Sequence, residues 1–158
     1  GDNFHATLVD RGDSLWRCLR YIELNMVRCG VVTHPRQWEW VGYHEIMGTR
    51  ERYRLLDLER LCWRLGTDSL EEVRKMLRGT LEETLAKDQM KREPCWTESV
   101  AVGTRAYLER IQPLILSRRE TEMIQEAPDL WVLKETEMPY RTEIDRKIES
   151  KASKTGVV

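Results

Sequence analysis

The sequence predicts a mainly α-helical chain with one short strand near its start, on three observations. Apolar residues recur at intervals of three and four through 15–30, 55–65 and 70–85, the spacing of helices that bury one stripe. Alternation of period two is confined to residues 4–9, where Phe4, Ala6 and Leu8 oppose His5, Thr7 and Val9; this reads as a half-buried strand. Beyond Arg119 the chain is strongly charged and Trp131-Val132-Leu133 is its only apolar island, too little apolar surface to order a tail.

Leu15 to Gly30, LWRCLRYIELNMVRCG, reads as a single helix. Asp13 or Ser14 can cap it, no proline interrupts it, and Gly30 stands two residues after Arg28, where a left-handed cap belongs. At about 100° per residue, Leu15, Leu19, Ile22 and Met26 fall within roughly 60° of one another and are the expected core face. Arg17, Tyr21, Leu24, Asn25 and Arg28 fall on nearly the opposite side. A phenol, a carboxamide one turn on and two guanidinium groups then look outward together, a face suited to phosphate chemistry. The simpler alternative is solvated helix surface, since amphipathic side chains commonly lie along a helix with their polar tips in water.

Residues 31–48 form a loop-rich connector dense in aromatics, with Pro35, Trp38, Trp40, Tyr43 and Gly48. Trp38 and Trp40 can stack on unpaired bases, each stack worth about 1–3 kcal/mol, or can pin the loop to a helix. His34 and His44 are candidates to reach phosphate, whereas His5, at a strand end, is expected to be structural. A helix over Leu55, Leu58, Leu61 and Leu65 ends at Gly66, and a second begins at Asp68 or Ser69 with Glu71 and Glu72 in its first turn. Gly79 costs about 1 kcal/mol without breaking this second helix. The pair resembles a helix-turn-helix, as any helical hairpin does. Residues 93–103 are a break, Thr104 can cap a helix through Ile111, and Pro113 should end or kink it. From about Thr142 the Lys-, Glu- and Ser-rich end is expected to be disordered.

The 158 residues carry 26 basic and 27 acidic side chains for a net charge of −1. That balance argues against a nonspecific nucleic-acid coat protein and says little against a localised DNA site. Cys18, Cys29, Cys62 and Cys95 lack metal or disulfide spacing, which predicts a reducing, cytoplasmic setting. No apolar run approaches the roughly 18 residues of a membrane span, so no membrane partner is expected.

The string Tyr21-Ile22-Glu23-Leu24-Asn25-Met26-Val27-Arg28-Cys29-Gly30-Val31-Val32, followed by His34-Pro35, Trp38-Glu39-Trp40 and Tyr43, resembles the block "YIxLNPVRAGLV…P…W.WSSY" of REP-associated tyrosine transposases, the single-tyrosine HUH transposase family. The resemblance implies that Tyr21 is a nucleophile that becomes linked to a 5′ DNA phosphate and that Asn25 helps hold a divalent metal, Mg or Mn. Met26 stands where proline is usual and Cys29 where alanine is usual, and neither change removes a reacting group. Phenols titrate near pH 10, so such a nucleophile needs a nearby cation and a metal on the scissile phosphate. One helical turn, about 5.4 Å, would let Tyr21 and Asn25 address one phosphate.

The family's His-hydrophobic-His strand has no counterpart, since His5, His34 and His44 are not so spaced. The chain begins at Gly1 without an initiating Met, and the expectation is a fragment whose preceding part held those histidines and most of the sheet. Under this reading, residues 1–48 close a ferredoxin-like α+β HUH catalytic domain, 49–118 form a helical extension and 119–158 a charged, partly disordered tail. Cys95 to Ile111 also resembles, more weakly, an extension found in longer family members. The expected function is cleavage and transfer of single-stranded hairpin DNA through a 5′-phosphotyrosine, with Arg17, Arg28, Trp38, Trp40 and His44 contacting DNA and a homodimer as the candidate assembly. The isolated fragment is expected to be inactive. The alternatives are a DNA-hairpin-binding module without catalysis and an all-helical interaction protein.

Overall fold

The computed structural model describes residues 6–50, 52–87, 90–115 and 120–136; Phe4, His5 and the end from Thr142 lie outside them. The architecture is α+β. In chain order come β1 (Leu8–Val9), α1 (Asp13–Glu23), α2 (Asn25–Arg28), a 3-10 turn (Pro35–Gln37), α3 (Tyr43–Met47), α4 (Leu58–Leu65), α5 (Leu70–Ala86), α6 (Cys95–Glu98), β2 (Ala101–Gly103), α7 (Arg105–Ile115), β3 (Thr121–Ala127) and β4 (Leu130–Glu135). The four strands form one mixed sheet in the order β1-β2-β4-β3. β1 runs parallel to β2, and the other two pairings are antiparallel.

This corrects the expectation of a mainly α chain with a charged tail. Thr121 to Glu135 is a hairpin that completes the sheet, with a register irregularity between Gln125 and Ala127. The sheet therefore takes strands from each of the three expected segments. Side-chain alternation sorts its two faces. Val102, Ile124 and Val132 look to one side with Tyr21 and Trp96, while Ala101, Met123 and Leu133 look to the other with Leu108 of α7.

α4 and α5 form where the apolar spacing placed them. The Asp57 carboxylate caps α4 by accepting from the Arg60 N–H, and Ser69 caps α5 by accepting from the Glu72 N–H. Cys62, Leu65, Val73, Leu77 and Leu81 bury against Leu24, Val27 and Ile46 in a helical core. Gly79 leaves α5 continuous, and Thr104 caps α7 by accepting from the Tyr107 N–H. Pro113 lies inside α7, two residues before its described end at Ile115. Leu55 stays outside α4 and is 86% exposed.

The expected single helix over 15–30 is two, divided at Leu24. Gly12 precedes α1 and gives it no side-chain cap, so neither Asp13 nor Ser14 acts as one. Gly30 adopts the expected left-handed conformation at φ 72°. Its N–H donates to the Val27 carbonyl and that of Val31 to the Met26 carbonyl, the paired closure of a Schellman ending.

The expected apolar face is also corrected. Leu15, Leu19 and Met26 are only half-buried, Ile22 is 53% exposed, and Leu24, expected outside, is 3% exposed. The reason is that α1 lies between two layers: Leu15, Trp16 and Leu19 pack on the helical core while Cys18 and Tyr21 pack on the sheet. Leu24→Ala should therefore destabilise the protein by about 2–5 kcal/mol and Ile22→Ala by well under half as much. Chemical denaturation of the two variants checks this, and equal losses would refute the assignment of faces.

Candidate functional site

Tyr21 lies in the last turn of α1 and Asn25 opens α2, so the division at Leu24 falls between the two candidate residues. At this break the Tyr21 carbonyl accepts from Arg28 Nη1 at 3.3 Å. Arg28 Nη2 donates to Asn25 Oδ1 at 3.0 Å, and the Arg28 Cζ stands 3.9 Å from the Tyr21 ring centroid. One guanidinium thus fastens the backbone, the ring and the carboxamide together, with cation–π contact and charge-assisted hydrogen bonds as the physical terms.

Tyr21 is 9% exposed, which corrects the expectation of an outward-facing phenol. Its ring belongs to an apolar cluster with Cys18, Cys95, Trp96, Val102, Leu130 and Val132, and its centroid is 6.5 Å from that of Trp96. The cause is a layer that helical periodicity does not reveal: β4 and the α6 segment close over this side of α1. The Tyr21 hydroxyl makes no hydrogen bond with a described residue and is not among the enclosed polar atoms. Glu93 steadies the covering segment, accepting from Arg20 Nη2 at 3.2 Å and from Trp96 Nε1 at 2.9 Å. Burial, and then the Glu93 charge, push the Cys18 and Cys95 thiols up to about 11, so neither offers a thiolate at neutral pH.

Asn25 is exposed as expected. Arg17 is half-buried and lines a cleft of about 280 Å³ between α1 and α5 with Asp13, Trp16, Arg20, Met76 and Thr80. Trp38 is half-buried and Trp40 is 73% exposed. His44 Nδ1 lies 3.0 Å from Thr49 Oγ1. The same histidine lines a pocket of about 320 Å³ with Arg36, Gln37, Glu39, Thr49 and Arg50. His34 serves the structure of its loop, where its Nδ1 accepts from the Arg36 N–H at 3.0 Å and its Nε2 lies 3.5 Å from Glu82.

Two buried carboxylates that no sequence pattern singles out fasten the aromatic loop, Glu23 to this helix and Glu45 to the segment before α4. Glu23, 2% exposed, accepts from the Tyr43 N–H at 2.8 Å. A Cβ at Gly42 would stand 2.6 Å from Glu23 Oε1, so glycine is needed for the loop to approach. Glu45, 6% exposed, accepts from the Leu55 and Leu56 N–H groups at 2.7 Å each and pairs with Arg50 at 3.4 Å. The Leu56 bond, with those of Leu55 and Arg50, holds the Glu45 carboxyl below its ordinary value in spite of burial. Both carboxylates bind distant backbone amides, which leave no motif in sequence.

Among the described residues no group of three or more His, Cys, Asp and Glu side chains could hold a metal, and the Asn25 oxygen already serves Arg28. The described residues therefore do not by themselves make up a divalent-metal site. No family model, curated protein or solved structure matches this chain.

Burial pushes the Glu23 carboxyl up to about 7, against the lowering effect of the Tyr43 bond. The folded state thus binds this proton more tightly than the unfolded chain does. The associated stability is complete below the ordinary glutamate pKa of about 4.3 and is lost as pH rises through about 7. Glu23→Gln keeps an acceptor for Tyr43, and it should raise stability at about pH 8 by on the order of 2–3 kcal/mol while flattening that fall. Melting curves across the range check this, and an unchanged pH profile would sink it.

Proposed function

We propose that this chain is the nucleophile-bearing part of a DNA strand transferase of the single-tyrosine HUH class, acting on single-stranded, hairpin-bearing DNA in the cytoplasm. Tyr21 is the nucleophile. Its Oη attacks phosphorus and the phosphotyrosine bond forms at the 5′ phosphate. The bond from phosphorus to the 3′ oxygen breaks, and the strand leaves as a 3′ hydroxyl. The phenolic proton goes to solvent, and the departing 3′ oxygen takes one from solvent.

The observation that carries this reading is the Arg28 guanidinium, 3.9 Å above the Tyr21 ring and 3.0 Å from Asn25 Oδ1. It makes one rigid unit of three residues from the block that resembles the transposase family. A ring clamped in this way, with a hydroxyl unbonded among the described residues, loses little further freedom on reaching a phosphate. The α+β architecture accords with the catalytic domain that the resemblance implies, and its ferredoxin-like arrangement is part of the proposal. No step is routed through a metal, because the described residues do not assemble a site for one.

A hairpin-binding module without catalysis is the second reading. The burial of Tyr21 to 9% exposure favours it.

The chain alone should leave a single-stranded hairpin substrate intact in the presence of magnesium. A polypeptide that also supplies a His-hydrophobic-His strand should form a covalent adduct that peptide mapping assigns to Tyr21. Tyr21→Phe should abolish the adduct and leave hairpin binding unchanged, because only the hydroxyl is lost. Asn25→Ala should reduce it, because Arg28 Nη2 then loses the acceptor that holds the guanidinium over the Tyr21 ring. An adduct on Tyr43, Tyr53 or Tyr107, or one that survives Tyr21→Phe, would overturn the assignment.

A further inference from the structure

The loop between α3 and α4 carries Arg52-Tyr53-Arg54, and all three residues are exposed, Tyr53 by 86%. Tyr53 has φ 57°, the one non-glycine residue with positive φ among the described residues. A bulky side chain there is strained and persists only where its surroundings impose the conformation. Those surroundings are visible. Glu45 holds the Leu55 and Leu56 N–H groups at 2.7 Å, and Arg50 ties back to the Glu45 carboxylate and the Glu39 carbonyl. The same ties bring in the neighbouring loop, where Trp40 is 73% exposed. The Arg36, Arg52 and Arg54 side chains make no hydrogen bond or ion pair with a described residue.

Exposed aromatics beside guanidinium groups that no described residue engages make a surface that is both apolar and cationic, on a loop fastened from beneath. The ligand chemistry that matches both is a chain alternating flat rings with anions. We propose that Tyr53 and Trp40 form a stacking platform for the bases of single-stranded nucleic acid, with Arg52, Arg54 and Arg36 on its phosphates. This rests on the DNA reading above and adds a contact surface apart from Tyr21. Stacking and phosphate contact both tolerate any sequence, and stacking needs unpaired bases. The platform therefore holds the single-stranded part of a substrate and discriminates against duplex.

Fluorescence anisotropy of the full chain with a labelled single strand, and with the duplex of the same sequence, tests it. The parent should bind the single strand at least tenfold more tightly. Tyr53→Gly suits the positive φ, so its melting temperature should equal or exceed the parent's while single-strand affinity falls about tenfold. The double variant Arg52→Ala, Arg54→Ala should lower the slope of log affinity against log salt by about 1.4, roughly 0.7 for each phosphate contact. Parent-like binding by both loop variants overturns the platform and leaves the strand-transfer reading standing. Absence of binding by the parent to single strand and hairpin alike overturns both. Equal or tighter binding of duplex overturns the platform.

Discussion

α1 has almost no free side, and most of the structure follows from that. Cys18 and Tyr21 are pressed against the sheet, while Leu15, Trp16 and Leu19 lie on the helical core. A helix between two layers transmits position from one to the other, because close-packed interiors do not deform smoothly. The candidate nucleophile is therefore fixed by residues far away in sequence: Trp96 and Val132 on one side and, through α1 itself, Leu77 and Leu81 on the other.

Such packing leaves polar groups that must be satisfied, and three carboxylates satisfy them. Asp10 accepts from the Thr104 N–H and hydroxyl and so ties β1 to the start of α7. Glu23 and Glu45 take backbone amides of the segments around α3. A buried charge bound to one amide is poorly compensated, and one bound to two amides and a guanidinium is well compensated. That difference accounts for the opposite directions in which Glu23 and Glu45 titrate. Glu23 couples the protonation of the core to the aromatic loop, and Glu45 stays charged as a fixed anchor.

The helices were legible wherever sequence carried both periodicity and punctuation. Gly66 and Ser69 bound α4 and α5 by local chemistry and Gly30 closes α2, whereas the Asp57 cap, which leaves Leu55 outside α4, was passed over. The hairpin of β3 and β4 was not legible, because Thr121–Ala127 is half polar and its apolar residues acquire meaning only when β4 pairs with them. β2 was hidden for a related reason: two of its three residues pair with β1 more than ninety positions away. The same blindness misassigned α1. A single-stripe analysis presumes one buried face, so it put Ile22 inside and Tyr21 and Leu24 outside, the reverse of their burial.

Tyr21, Asn25 and Arg28 were legible as a set because their spacing is that of neighbouring helical turns, and the structure does bring them together. What Arg28 does there was not legible. A straight helix would keep the Tyr21 carbonyl in its own ladder and leave the guanidinium to solvent. The division at Leu24 frees that carbonyl to accept from Arg28, whose side chain then lies across the ring. Arg28 therefore shapes this part of the molecule from within, and the guanidinium groups that no described residue engages stand elsewhere, beside the Glu45-anchored loop. Rigidity around the phenol and exposure on the loop have separate causes: the first comes from a guanidinium turned inward at a helix break, the second from a loop held only from beneath.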